Sequence, residues 1–332
     1  MKKSLKGILG STLASVLILS GCGTDESGGS NTGDAGETYK IGVTQIVEHD
    51  SLDAAFDGFK QALADKGLEV EYDVQIAQGD PNTSNLIAEK LVGDNVDLIF
   101  ANSTPSAQGV LNETSEIPIV FTSVTDPVGA ELVEAMDKPG TNITGTTDTH
   151  PNAVPNTVEF IDQYFEGKRV GMVYNSGEQN SNAQVKLVEE AMKGTDLEIV
   201  SASVSTSAEV KQATESLIGN VDVIYIITDN TVVSALESVI MVSEENDIPL
   251  FVGELDSVEN GGFAAYGFDY FDIGYEAGEM AAQILTGEKT TSELPVQYPQ
   301  NLKLQINKKA AENMGIDINS EWDDIAEYLN EE

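Results

Sequence analysis

The chain has 332 residues, with 17 basic against 56 acidic side chains, a formal net charge of −39 and a single cysteine. So negative a field repels nucleic acid and anionic lipid headgroups, which argues against a nucleic-acid role. One cysteine excludes an intramolecular disulfide and a cysteine-built metal cluster, and the one arginine, Arg169, leaves bidentate clamps for phosphate or sulfate almost unavailable.

In chain order, the first segment reads as a secretory signal to be set aside from the fold. Lys2, Lys3 and Lys6 form a positive leader, and the apolar run from Ile8 to Leu19 is too short to span a bilayer. The following Leu19-Ser20-Gly21-Cys22 resembles the lipobox of bacterial lipoproteins, in which the cysteine thiol takes a diacylglycerol. That implies a signal over 1–21, a lipid anchor on Cys22 and a membrane partner through that anchor. Residues 22–38 are rich in Gly, Ser, Asn, Thr and acids, with no apolar periodicity. Such a composition predicts a flexible tether with a reach of roughly 20–24 Å.

Beyond the tether, short apolar runs alternate with amphipathic stretches, the pattern of βα units and parallel sheets. Tyr39 to Ile46 reads as a strand and Leu52 to Leu63 as its helix. Strands are expected at Val70 to Ile76, Asp97 to Ala101 and Ile117 to Thr122, with helices at Leu86 to Val92 and Ala107 to Thr114. The second half repeats the program: a strand at Arg169 to Tyr174, a helix at Ala183 to Met192, and a strand at Leu197 to Ala202. Asn95-Val96-Asp97-Leu98-Ile99-Phe100 is echoed by Asn220-Val221-Asp222-Val223-Ile224-Tyr225, and each copy runs on to an Ile-Pro. Phe263 to Gly267 reads as a strand, Ile273 to Leu285 as a helix bearing small residues, Pro295 to Tyr298 and Leu304 to Ile306 as extended, and two short helices close the chain. The expected fold is α/β: two doubly wound parallel-sheet lobes joined by a three-crossover hinge. One lobe takes 39–147 and 263–290, the other 148–262 and 291–332.

In such sheets ligands bind beyond the carboxyl ends of the strands, against helix N-termini. The loops there are rich in hydroxyls and carboxamides, hold a few carboxylates and carry no lysine or arginine. That suits a zwitterion: hydroxyls and helix N–H groups for a carboxylate, and Asp229 or Asp256 for an ammonium. Leu52, Asp53, Ser103 and Asn180 are further candidates by position, and Leu52, Phe121 and Tyr174 are candidate walls or core. Ser, Thr, Asp and Asn are also the preferred helix caps, so capping and binding stay open for each of them. Glu48-His49-Asp50 lacks the partners of a metal site, and no GxSxG, P-loop or GxGxxG is present. The residues point to a binder that needs no metal and no cofactor, rather than to an enzyme.

The same loops resemble ABC-transporter substrate-binding lipoproteins of the tryptophan/tyrosine-binding type, within the type I periplasmic-binding fold. The resemblance is carried by Val47-Glu48-His49, Leu52-Asp53-Ala54, Thr104-Pro105 with Ala107-Gln108, and Val124-Thr125-Asp126-Pro127-Val128-Gly129-Ala130. Lys138-Pro139-Gly140 with Asn142-Ile143-Thr144-Gly145, and Asp229-Asn230-Thr231, extend it over nearly all of the chain after the tether. It implies capture of a small molecule, an amino acid and aromatic by preference, between two closing lobes outside the cytoplasm, and delivery to a permease and ATPase. Contacts are implied from Glu48, His49, Thr104, Ala107, Gln108, Thr125, Asp126, Asp229 and Asn230. The same fold serves nucleoside or sugar binders and sensory ectodomains, and these stand as alternatives.

Overall fold

The computed structural model describes residues 38–329. The signal, Cys22 and the tether lie outside the described residues, except that Thr38 already begins the first strand. The first half runs β1 (Thr38–Gln45), α1 (Asp50–Asp65), β2 (Glu69–Ile76), α2 (Pro81–Gly93), β3 (Leu98–Asn102), α3 (Thr104–Glu113), β4 (Ile119–Val124) and β5 (Ile143–Thr147). The second continues with α4 (Ala153–Tyr164), β6 (Arg169–Asn175), α5 (Gln179–Ala191), β7 (Glu198–Val204), α6 (Val210–Leu217), β8 (Val223–Ile226), α7 (Asn230–Val233), α8 (Leu236–Glu245), β9 (Leu250–Val252), α9 (Leu255–Glu259) and β10 (Ala264–Gly267). The chain ends with α10 (Tyr270–Leu285), β11 (Lys303–Asn307), α11 (Lys308–Asn313) and β12 (Ala326–Leu329).

Two sheets result. The first has the order β2-β1-β3-β4-β5, all parallel; the second is β12-β11-β10-β9-β8-β6-β7. Read from β7, the second sheet repeats the first strand for strand and then adds two. Strand alternation explains the layers of the first lobe. Leu98 and Phe100 face α1 and α10 with Phe59 and Ala277, while Ile99 and Ala101 face α2 and α3 with Leu91 and Val110. A parallel sheet buried on both faces needs such unbroken apolar runs. The second lobe has one continuous core, in which Phe251, Phe263 and Trp322 pack around Phe160 and Phe165.

The chain crosses between the sheets three times: after β5, after β10 and before β11. The division expected from sequence shifts at two places. Ala264–Gly267 pairs into the second sheet, so the first lobe regains the chain only after Gly267. Residues 291–297 stay with the first lobe: Thr291 bonds the Thr141 carbonyl, Thr144 the Leu294 carbonyl, and Gln297 donates to Gly145. The extended Pro295 to Tyr298 segment thus runs beside β5. Two further differences concern the chain end. The β10–β11 pair is antiparallel, because β11 returns from the first lobe along the opposite direction, and the ending is α11, a one-turn 3-10 helix at Ser320–Trp322 and β12 rather than two helices.

Helix α10 is pressed onto α1, and this contact places the cleft. A Cβ on Gly274 would sit 1.8 Å from the Ala55 carbonyl oxygen, and one on Gly58 2.1 Å from that of Phe271. Only glycine permits that backbone approach. It sets the first residues of both helices, Asp50 and Tyr270, at the same end of the first lobe.

Candidate functional site: the cleft between the strand tips

In each sheet the strand order reverses beside the first strand of the lobe, at β1/β3 and at β6/β8. Loops on either side of such a reversal part, and a crevice opens at the carboxyl ends. His49 follows β1 and Thr104 follows β3; Glu178 and Asn180 follow β6, and Asp229 and Asn230 follow β8. His49 lines one opening together with Val233 and Ser234 of the second lobe, so the two reversals face one another.

The tips of the first lobe are held by a neutral network. Asn102 donates to Gln45 Oε1 (3.0 Å) and to the Leu52 carbonyl (2.7 Å), and its own oxygen accepts from Ser123 (2.8 Å). Gln45 in turn donates to Asp53 at 2.8 Å. Asp53 therefore anchors α1 to β1, and burial pushes its carboxyl up while the bond from Gln45 holds it down. Ser103 at φ 131° and Ser123 at φ 56° take left-handed conformations that serine disfavours. The Ser123 twist breaks the β4–β5 register between Phe121 and Val124, and a bulge of this kind re-aims the residues after it, here Thr125 and Asp126.

The second lobe offers carboxylates instead. Glu178 accepts from Asn175 and Thr231 on one oxygen and from Asn180 and Asn230 on the other. Asp229 caps α7 through the Val232 N–H and accepts the Asn175 N–H and the Ser181 hydroxyl, both at 2.6 Å. Burial first, and the neighbouring Glu178 second, push Asp229 up to about 6.

Where the lobes meet, Ser51 at the start of α1 donates to Glu254 (2.7 Å), which lies before α9 and is 2 % exposed. Burial drives the Glu254 carboxyl up to about 8, with Asp256 and Asp148 adding to the shift. Asn260 donates to Asp50 (2.7 Å) across the same seam, and Gln184 reaches the Thr125 hydroxyl at 3.5 Å. Asp148, just after β5 and 7 % exposed, accepts the Tyr270 hydroxyl at 3.1 Å. Burial raises it to about 6. Three openings surround this centre: a cavity of about 820 Å³ between α2–α3 and the Asn175–Gln179 turn, one of about 810 Å³ beside Asp126 and Leu187, and one of about 230 Å³ at Glu48 and Asp256.

The residues singled out from the sequence divide by what they touch. Thr104 Oγ1, Asn180 Oδ1 and His49 Nδ1 are buried polar atoms with no protein partner, and so are Asp148 Oδ1, Gln179 Oε1 and Thr228 Oγ1. His49 is pushed down to about 4 by burial, which keeps its ring neutral. Thr125 is buried; Gln108 donates to the Ala130 carbonyl and lines the largest opening; Asp126 caps the Gly129 N–H. Glu48 and Asp256 line the smallest opening, where burial raises Asp256. Ser103 caps α3 through the Ser106 N–H, and Leu52 and Ala107 lie in the first lobe's core, as does Phe121. Tyr174 packs half-buried against the second core. Asp148, Glu178, Glu254 and Tyr270 were not singled out. Each is a buried polar group whose only sequence signal is its place just beyond a strand.

Two α/β lobes that turn their strand tips, with unpartnered polar atoms, toward a common cleft define a two-lobed solute-binding protein. Residues 40–327 match the family of ABC transporter substrate binding proteins, and the chain belongs to that family. Its members are extracytoplasmic solute-binding proteins, not enzymes. The chain is 41% identical over 316 residues to a tyrosine-binding protein of Clostridioides difficile (strain R20291), covering 92% of this chain and 90% of the relative. It resembles a Streptococcus pneumonia protein in complex with L-Trp at 31% identity and TM-score 0.83, covering 88% of this chain and 99% of that one. A ligand-free, open substrate-binding protein of Clostridium difficile is 38% identical, with TM-score 0.64, covering 89% of this chain and 100% of that one. The chain thus superposes more closely on the L-Trp complex than on the more identical open structure. Among the described residues no helix is long and apolar enough to cross a membrane.

Proposed function

We propose that this protein is the receptor of an ABC importer for an aromatic amino acid, held at the membrane by a lipid on Cys22 and passing its ligand to a permease driven by an ATPase. The observation that carries the reading is the set of buried, unpartnered polar atoms at the two facing strand reversals, His49, Thr104, Asn180 and Thr228 among them. Buried polar groups left unpaired in a folded protein cost about 1–3 kcal/mol each, and a ligand rich in donors and acceptors removes that cost. Thr104 at the start of α3 suits the ligand carboxylate, since a helix N-terminus supplies N–H donors and a favourable dipole without any arginine. The named ligands of the relatives, tyrosine and L-Trp, agree with a zwitterionic head at such a site.

A thermal-shift panel of amino acids, nucleosides and sugars tests the ligand. L-tyrosine or L-tryptophan at about 100 times its dissociation constant should add roughly 2.7 kcal/mol of stability. A shift from a sugar or a nucleoside with none from any amino acid would overturn the assignment. For the anchor, fatty-acid labelling of the cells should mark the wild-type chain and not Cys22→Ala.

A further inference from the structure

We infer that Asp148 is the anchor for the ligand's ammonium group, an inference that rests on the amino-acid reading and deepens it. Both oxygens of Glu178 are taken by four side-chain donors, and both oxygens of Asp229 by Val232, Asn175 and Ser181. One oxygen of Glu254 receives both Ser51 and Ser257, and burial keeps this carboxyl protonated at neutral pH, where it has no charge to match an ammonium. In Asp148 the Tyr270 hydroxyl fills Oδ2, and Oδ1 is buried with no protein partner.

An ionised carboxylate in that position lacks both a donor and a countercharge, and each lack is costly in a dry site. Among the described residues no lysine, arginine or histidine forms an ion pair with it. An ammonium supplies three donors, no acceptor and the missing charge at once. A ligand hydroxyl would fill the hydrogen bond and leave the charge unbalanced. Placement supports the assignment. Asp148 leaves the first sheet at the crossing between lobes, one strand over from Thr125, and Tyr270 is fixed by burial and by stacking on Phe268.

Isothermal titration of L-tyrosine and L-tryptophan, and of the same molecules lacking the amino group, into wild type and Asp148→Asn tests this. Wild type should favour the amino acid over its deaminated analogue by about 30-fold or more, the loss typical when one partner of a buried charge pair is removed. In Asp148→Asn amino-acid affinity should fall by a similar factor, and the preference should shrink to about twofold, the scatter expected of independent sites. An unchanged preference in the variant, or equal binding of both ligands by wild type, overturns the anchor and leaves the proposed function standing. Failure of wild type to bind any aromatic amino acid overturns both. Should that variant not fold, Tyr270→Phe, which removes the donor from the other Asp148 oxygen, should change the wild-type preference, and an unchanged preference overturns the anchor.

Discussion

The two lobes are built alike at their feet and differently at their tips. At the foot of the first sheet, Asp97 precedes β3, accepts the Lys40 N–H and donates its own N–H to the Lys40 carbonyl. At the foot of the second, Asp222 precedes β8 and does the same with Arg169. These are the corresponding aspartates of the repeated Asn-Val-Asp stretch. At the tips the correspondence ends: Asn102 and Gln45 form a neutral network in one lobe, and Glu178 with Asp229 form a charged one in the other. What is repeated fixes the sheet, and what differs lies at the strand tips beside the cleft.

The largest effect should come from the neutral tip. Asn102→Leu leaves the Gln45 oxygen and the Ser123 hydroxyl without these partners in a fully buried site, and the Leu52 carbonyl with its helical bond alone. At 1–3 kcal/mol for an unpaired buried group, with partial relaxation, the loss should be about 3 kcal/mol by chemical denaturation. A cost under about 1 kcal/mol would mean that the network is dispensable. In the charged tip, Asp229→Ala should cost about 2 kcal/mol, since two N–H groups and one hydroxyl lose their acceptor. The two sites should also respond differently to pH. Asp229 is raised in the folded state, so the stability it contributes is present below its ordinary value near 4 and is lost as pH rises through about 6. Wild-type stability should fall over that window more steeply than that of Asp229→Ala, whereas Asn102→Leu should keep the wild-type slope.

The feet were legible in the sequence and the tips only partly so, for a physical reason. A buried parallel strand demands an unbroken apolar run, and one six-letter pattern in two copies, Asn-Val-Asp followed by three strand residues, identifies the same element twice. The tip residues are Ser, Thr, Asn and Asp, which cap helices as readily as they bind. Ser103 and Asp229 turn out to be caps, and Thr104, beside Ser103 and of the same chemical kind, holds an unpartnered hydroxyl. Only the three-dimensional donor account separates them. Buried acids were harder still. Glu254 and Glu178 lie in polar loops with no apolar pattern to mark burial, and their burial depends on the other lobe or on distant side chains. The β10 assignment went astray for a related reason, since a four-residue apolar run does not say which of two sheets it joins.

A smaller effect belongs to the seam between the lobes. Glu254 is raised to about 8 where it meets Ser51, so the closed arrangement is favoured at low pH and loses ground as pH rises through about 8. His49 works in the other sense: its value is lowered to about 4, and closure is weakened as pH falls below its ordinary 6.5. Asp148, Asp256 and Tyr270, which also face this seam, are raised like Glu254. The two directions oppose one another below pH 6.5, so the clean window is 6.5 to 8. There the closed fraction of the ligand-free protein, followed by small-angle scattering, should fall by up to about tenfold per pH unit, and Glu254→Gln should flatten the curve.

The smallest effect returns to the feet and asks how alike they are. Asp97 satisfies one backbone N–H, and its loss in Asp97→Ala should cost about 0.5 kcal/mol. Asp222 satisfies two, those of Lys168 and Arg169, and also meets the Arg169 guanidinium at 2.7 Å. That bond first, with the backbone bonds behind it, holds the Asp222 carboxyl well below the usual carboxylate range. Its contribution is therefore present above the ordinary value near 4 and is lost as pH falls. The side chains are 43% and 26% exposed, so solvent screens the ion pair and most of the effect belongs to the two N–H groups. Asp222→Ala should accordingly cost about 1 kcal/mol at neutral pH, twice its counterpart, and the difference should survive added salt because backbone bonds are not screened as surface charges are. Equal costs in the two variants would show that neither the second N–H bond nor the Arg169 guanidinium adds stability to the second lobe.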